Sequence, residues 1–206
     1  MDSTSYRMCA ALLAALSLAA ISSTAQTPTS LANLNESGQV NVAGRSTPYL
    51  IRHLPIDSFP QLPQAVQQEL DRVGCLIPQT YEAHRPENVV NGSFQAPGSS
   101  DWALLCSARG TVSLLVFFAG RPPDQPFVLA TSPETGRLQP HDLTGILGFN
   151  WGIDAASPGQ VHNVQAGMNP RPPLIDHDAV ADSVVEHNTV YHFYANGRWT
   201  LLPTPN

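Results

Sequence analysis

Thr189-Val190-Tyr191-His192-Phe193-Tyr194 leads through Asn196-Gly197 into Arg198-Trp199-Thr200-Leu201-Leu202, and this stretch decides the fold. Val190, His192 and Tyr194 alternate with Tyr191 and Phe193, the period-two pattern of a strand with one wet and one dry face. Asn-Gly between two such arms is a strong hairpin signal, because a two-residue turn of the primed type needs positive φ at both positions. Just upstream, Asp182-Ser183-Val184-Val185-Glu186 reads as a strand that turns at His187-Asn188 into the first arm. The same grammar occurs earlier in the chain. Asp101-Trp102-Ala103-Leu104-Leu105-Cys106 is a strand, Ala108-Arg109-Gly110 a turn, and Thr111 to Phe118 the returning strand. Duplication and coincidence of common hairpin grammar both fit so few matching positions.

Working outward, Tyr49-Leu50-Ile51-Arg52-His53-Leu54 suits a first strand, and Phe127–Ala130 and Gly145–Ile153 suit short ones. A helix is expected after Ser58, over about 60–73, with Leu62, Val66, Leu70 and Val73 on one face and Gly74 as its C-terminal cap. A shorter helix is expected over Pro158–Ala166, with Ser157 capping it, Pro158 in its first position, and Val161 and Val164 on one side. Strands joined by hairpins make the sheet mainly antiparallel. The fold class is α+β, mostly β: a small antiparallel sheet of hairpins with about two helices.

Composition bounds the rest. The chain has 206 residues, 42% of them hydrophobic and only 13% charged, enough to bury a core. Nineteen Pro and 14 Gly argue against a long-helix bundle or coiled coil. A net charge of −6 disfavours nucleic acid as a general partner. All 10 basic residues are Arg, so Schiff-base, Ser-Lys and P-loop lysine chemistry is excluded. His-Glu-x-x-His, Gly-x-Ser-x-Gly, Gly-x-Gly-x-x-Gly and Walker motifs do not occur.

Residues 1–25 read as a signal peptide: Arg7 in the n-region, an apolar run from Met8 to Ile21, and small residues Ser23 and Ala25 before a cleavage point at Gln26. The alternative, an uncleaved anchor, needs a longer span. Residues 26–47, rich in Thr, Ser, Asn and Gly, read as a flexible leader, and residues 48–206 as a single globular domain without a membrane span. The expected location is therefore secreted or periplasmic. In an oxidising compartment Cys75 and Cys106, the two cysteines after the signal, are expected to form a disulfide; two buried free thiols are the alternative.

The densest polar cluster is Asp176-His177-Asp178 with Asp182 and Glu186 following. Asp-x-Asp-x-x-x-Asp fits the later part of a calcium loop, with Asp176, Asp178 and Asp182 as metal ligands. Leu174 stands where a further ligand would fall and Ala179 where glycine is usual. A turn whose aspartates accept from backbone amides is the favoured reading, and any calcium site is expected to be weak. His141, His162, His177, His187 and His192 fall in different elements, although a hairpin could bring His187 and His192 together. Trp102, Trp151 and Trp199 could stack on sugars but serve first as packing residues.

The strings Gly74-Cys75-Leu76-Ile77-Pro78-Gln79, Asn88-Val89-Val90-Asn91-Gly92-Ser93-Phe94, Asp101 to Ser107, Leu114-Leu115-Val116-Phe117 and Asp176 to Asp182 resemble an uncharacterised family of exported bacterial proteins. The likeness extends over about residues 49–202 and carries no activity with it. The two acidic turn-to-strand segments also resemble, distantly, FG-GAP-type repeats, which form propeller blades and often hold calcium. Asp176, Asp178 and Asp182 match three acidic positions of that pattern; Leu174 and Ala179 depart from it, and the first segment keeps only Asp101.

Together these features point to a secreted, non-catalytic binding or interaction module for a protein or glycan ligand. The alternative is a small secreted hydrolase with its acid and base near Asp176–Asp182, helped by His177 or His192. A pocket joining those groups, with a raised carboxyl pKa, would favour the hydrolase. A shallow apolar or aromatic surface would favour the module.

Overall fold

A computed structural model describes residues 34–205. Within them the chain forms three small sheets. The first holds β1 (Glu36–Val42), β2 (Arg45–Leu54), β8 (Leu138–Pro140) and β9 (Leu147–Phe149) in the order β1-β2-β9-β8, with β3 (Ile77–Gln79) also on β2. The second is the meander β4 (Val89–Gly92), β5 (Asp101–Ala108), β6 (Thr111–Phe117) and β7 (Phe127–Pro133). The third is the meander β10 (Trp151–Ala156), β11 (Ala179–Val184), β12 (Thr189–Ala195) and β13 (Arg198–Leu201). The pairings are antiparallel except β2 with β9. The α+β, mostly β class read from the sequence is the class observed, with the strands divided among three sheets.

The two expected strand pairs occupy the same place in their sheets: β5–β6 and β11–β12 are each the middle hairpin of a four-stranded meander. Arg109 and Gly110 have φ of 54° and 73°, and Asn196 and Gly197 have 53° and 78°, the positive values the primed turns require. A third such turn, at Ala43 (φ 50°) and Gly44 (φ 82°), corrects the leader reading. Residues 36–47 form β1 and the start of β2, not an unstructured leader. Ala is a poor residue for the left-handed region, so the turn carries little of the chemistry that marks a hairpin. β1 itself is mostly exposed and lacks an apolar stripe. The strand expected to end at Glu186 ends at Val184, where the chain enters a turn with Glu186 at φ 60°.

Helix α1 spans Gln64–Val73. Its start lies beyond Ser58 because Pro60 and Pro63 interrupt the intervening chain, and the residue before a proline is driven out of helical φ/ψ. Gly74 ends it at φ 72° and ψ 37°, and the Cys75 amide returns to the Leu70 carbonyl at 2.9 Å. Leu62, Val66 and Leu70 are buried as expected, against Ile56, Phe59, Ile77, Leu104 and Phe117; Val73, expected on the same face, is 36% exposed. Helix α2 (Pro158–Val164) begins with a reciprocal cap: Ser157 Oγ accepts from the Gln160 amide and Gln160 Oε1 accepts from the Ser157 amide. Val161 is buried beneath it, and Val164 is exposed instead of sharing that face.

The Cys75 and Cys106 sulfurs are at bonding distance, with Cα atoms 5.4 Å apart, so the bridge ties the end of α1 to β5. β5 is buried on both faces, with Leu104 turned toward α1 and Leu105 toward the main core of Ile51, Phe94, Leu114, Phe149, Trp151 and Val180. Its continuous apolar run, without alternation, is the signature of a strand covered on both sides.

Candidate functional site

The acidic cluster singled out in the sequence does not gather. Asp176 is exposed, 3.8 Å from His177 Nε2. Asp178 Oδ2 accepts the Ser93 amide at 2.9 Å, and the Asp178 amide donates back to the Ser93 carbonyl at 3.1 Å, fastening this turn to the end of β4. Asp182 is partly buried on the core face of the third sheet, taking the Trp151 indole N–H at 2.6 Å on one oxygen and facing His192 Nε2 at 3.1 Å with the other. The expected convergence into one small volume is therefore corrected: the three carboxylates have three different surroundings. Among the described residues, no group of three or more His, Cys, Asp or Glu side chains is placed to hold a metal ion. Of the histidines, His177 stacks on Phe193 with ring centroids 4.3 Å apart, His162 meets Arg171, and His141 stacks on Tyr81. His192 is buried, whereas His187 lies in the exposed β11–β12 turn. Trp151 is core. The signal-peptide reading concerns residues outside those described.

A concavity lies elsewhere. A cleft of about 710 Å³ opens where β4, β10 and the β11–β12 turn meet the chain that follows β3. Its charged lining is four carboxylates, Glu82, Glu87, Asp154 and Glu186, against the single guanidinium of Arg85, with His187 at the turn. Its back is built by Asn88, held at φ 67° and buried. The Asn88 amide donates to the Pro78 and Trp151 carbonyls at 2.7 and 3.2 Å; its side-chain oxygen accepts the Ile153 amide at 3.1 Å, and its carbonyl accepts the Leu105 amide at 3.0 Å. One residue thus satisfies groups on β3, β5 and β10, which fixes the back wall.

Two of the four carboxylates are held in place. Glu87 Oε1 accepts the Thr80 amide at 3.0 Å and also the Thr80 hydroxyl, and the Glu87 backbone makes a two-way pair with the Gln79 side chain. Glu186 accepts the Tyr81 hydroxyl at 3.1 Å, and that hydroxyl accepts from Gln139 at 2.6 Å. Burial, then Glu186, keep the Tyr81 phenol above its usual pKa. Asp154 has no such support. It is open to the cleft, yet the concave walls exclude part of its water; that desolvation and then the Glu87 charge raise its carboxyl above the ordinary range, while Arg85 opposes the rise. Arg85 therefore does not neutralise the wall.

A second, more apolar slot of about 300 Å³ lies behind Thr80 and Tyr81, lined by Leu50, Ile146, Phe149 and the Tyr81–His141 stack. Gly148 makes that stack possible: a Cβ there would lie 2.5 Å from Tyr81 Cβ and 2.8 Å from the His141 ring.

Glu87 and Asp154 escaped the sequence reading because the cleft is assembled from separate sheets, and no local spacing records that meeting. The one available trace was Asp154 itself, an acid inside the otherwise apolar Trp151–Ala156 strand. Comparison with protein-family models, with curated proteins and with solved structures finds no match. Among the described residues no helix is long and apolar enough to cross a membrane.

Proposed function

We propose that this protein is an exported, non-catalytic binding module whose site is the cleft between β4, β10 and the β11–β12 turn, and whose ligand is a small molecule or exposed side chain carrying an amine or guanidinium. The observation that carries the reading is the imbalance of the lining, four carboxylates to one arginine, in a concavity of ligand size. A carboxyl pressed toward its protonated form by desolvation and then by a neighbouring carboxylate is relieved by a cation. The fixed carboxylates of Glu87 and Glu186 are preorganised acceptors for N–H donors, which lowers the ordering cost of binding. Among the described residues no Phe, Tyr or Trp lines the cleft to serve as a stacking platform, so a neutral sugar is a poorer fit than an amino sugar or a basic side chain. Export, a secreted or periplasmic location and kinship with exported bacterial proteins belong to the same proposal. The Cys75–Cys106 bridge supports the location, since such bonds persist in oxidising compartments.

The test is a calorimetric titration of the secreted protein with spermidine, arginine and glucosamine, and with glucose and N-acetylglucosamine as uncharged controls. Binding of the cations, lost in Asp154→Asn/Glu87→Gln and weakened by salt, is the expected result. Binding of the uncharged sugars alone would remove the electrostatic basis of the reading.

A second reading has one observation in its favour. Asp154, with its raised carboxyl beside Glu87, has the form of an acid–base pair. The hydrolase alternative would then use these residues in place of the Asp176–Asp182 region. Turnover of a glycoside or ester panel, abolished by Asp154→Asn, is the outcome that would favour it over the module.

A further inference from the structure

The N-terminal strand is fastened at its start by a buried histidine remote in sequence from the cleft residues. His53 lies on β2 and is 4% exposed. Its Nδ1 is 2.8 Å from the carbonyl oxygen of Leu34, just before β1, and its Nε2 is 2.5 Å from Glu134 Oε1. Glu134 opens the 3-10 turn Glu134–Arg137 after β7 and is 1% exposed. Both ring nitrogens therefore face acceptors. Two contacts with acceptors need two protons, one for each. When the ring and carboxyl together lose one proton, the proton that remains is held at Nε2 by the stronger acceptor, the carboxylate. A lone pair on Nδ1 then faces the Leu34 carbonyl at hydrogen-bond distance, and the contact turns repulsive.

We propose that His53 is a proton-operated latch on the N-terminal strand: the doubly protonated ring fastens Leu34 and β1 to the domain, and loss of one proton frees that segment while the remainder stays folded.

The surroundings favour the charged ring. Carboxylates approach from the turn (Glu134) and from β1 (Glu36), the Tyr49 phenol from β2 donates to Glu36 at 2.9 Å, and the Ser107 hydroxyl of β5 reaches Glu134. Burial works against a charged His53, but the hydrogen bond and charge of Glu134, the Leu34 carbonyl and the Glu36 charge outweigh it and hold its pKa above 6.5. Burial likewise works against ionised Glu134, and the His53 hydrogen bond and charge overcome it, holding that carboxyl below 4.5. The raised histidine contributes stability fully present below pH 6.5 and lost as pH rises through its folded-state pKa. The lowered Glu134 contributes stability present above pH 4.5 and lost as pH falls through its own. The latch is therefore closed between pH 4.5 and pH 6.5 and opens as pH rises through the raised His53 pKa. β1 is the element to respond: among the described residues it is an edge strand, paired with β2 alone, and it is mostly exposed.

The experiment is NMR on the full secreted protein. Ring nitrogen shifts report the protonation of His53, and hydrogen exchange corrected for intrinsic rates reports the protection of β1, from about pH 6 to about pH 9. A ring that titrates above the ordinary histidine value of 6.5 is expected. As it titrates, protection of the β1 amides should fall by about tenfold or more while β5 and β6 keep theirs. Glu134→Gln should move both the ring titration and the loosening of β1 to lower pH. A ring that is neutral at about pH 6 overturns the proposal, as does β1 protection indifferent to the titration, or simultaneous loss in β1 and β5. The wild-type titration decides even where Glu134→Gln does not fold.

Discussion

The second and third sheets are both four-stranded meanders, and each carries an internally bonded acid on its second strand, the buried Asp101 on β5 and the partly buried Asp182 on β11. The two acids are used differently. Asp101 is fully buried and is satisfied mainly by the backbone: Oδ2 accepts the Gln95 amide at 2.7 Å and the Ser99 hydroxyl at 2.5 Å, and Oδ1 accepts the Ala119 amide at 3.0 Å. It ties the loop before β5 to the chain leaving β6. Asp182 is satisfied by side chains, Trp151 and His192, and ties three neighbouring strands of one sheet together. In both sheets the acid in a repeat-like position is spent on internal hydrogen bonds. Asp154, in the cleft where the sheets meet, is not held in this way. A carboxylate pattern along the chain is therefore a poor guide to function here; what matters is whether the fold supplies each acid with donors.

That contrast can be broken by mutation. The largest effect is expected at Asp101. Asp101→Ala removes a fully buried carboxylate that accepts two backbone amides and should destabilise the protein by about 3–5 kcal/mol in urea unfolding. A loss under about 1 kcal/mol would mean that water replaces the carboxylate and that the loop closure is incidental.

The layers that cover the two meanders come next. The second sheet is covered by α1 and stapled to its end by the disulfide; the third is covered by the shorter α2. Leu70→Ala should cost about 2–5 kcal/mol, and Val161→Ala less, about 1–3 kcal/mol. Equal losses would show that α2 packs as firmly as α1, against the difference in their buried sets.

The smallest effect belongs to Asp176. It is exposed, so Asp176→Ala should change stability by no more than about 0.5 kcal/mol. Calcium at about 1 mM should shift the thermal midpoints of wild type and Asp176→Ala equally, in contrast to an ion held by the cluster. A shift present in the wild type and lost in the variant would restore the acidic turn as a cation site.

The same contrast explains what could be read in advance. The hairpins at Arg109-Gly110 and Asn196-Gly197, the Gly74 cap and the Ser157 cap are local chemistry, written within a few residues, and the structure has each where the sequence places it. β1 was hidden because its turn uses Ala43 and its face is polar. Val73 and Val164 were misplaced because the face a helix buries depends on what lies opposite, which periodicity alone does not state. The spacing of Asp176, Asp178 and Asp182 suggested convergence, but only Asp182 lies on β11, Asp176 and Asp178 fall in the chain before it, and the partners at Ser93, Trp151 and His192 come from distant positions. The cleft was the least legible feature. Glu87 precedes β4, Asp154 lies on β10 and Glu186 in the β11–β12 turn, and only the arrangement of the sheets brings them together.

The proposed cation site rests on Asp154, whose carboxyl is raised above the ordinary range by desolvation and then by the Glu87 charge. The most direct measurement is the carboxyl carbon shift of Asp154 followed by NMR across a pH titration, with and without saturating spermidine. Free protein should show Asp154 titrating above the ordinary aspartate range, and the polyamine should bring that pKa down. By linkage, affinity for the polyamine should rise as pH increases through the Asp154 titration. An Asp154 shift that spermidine leaves unchanged, with affinity flat across the same pH range, would contradict the account.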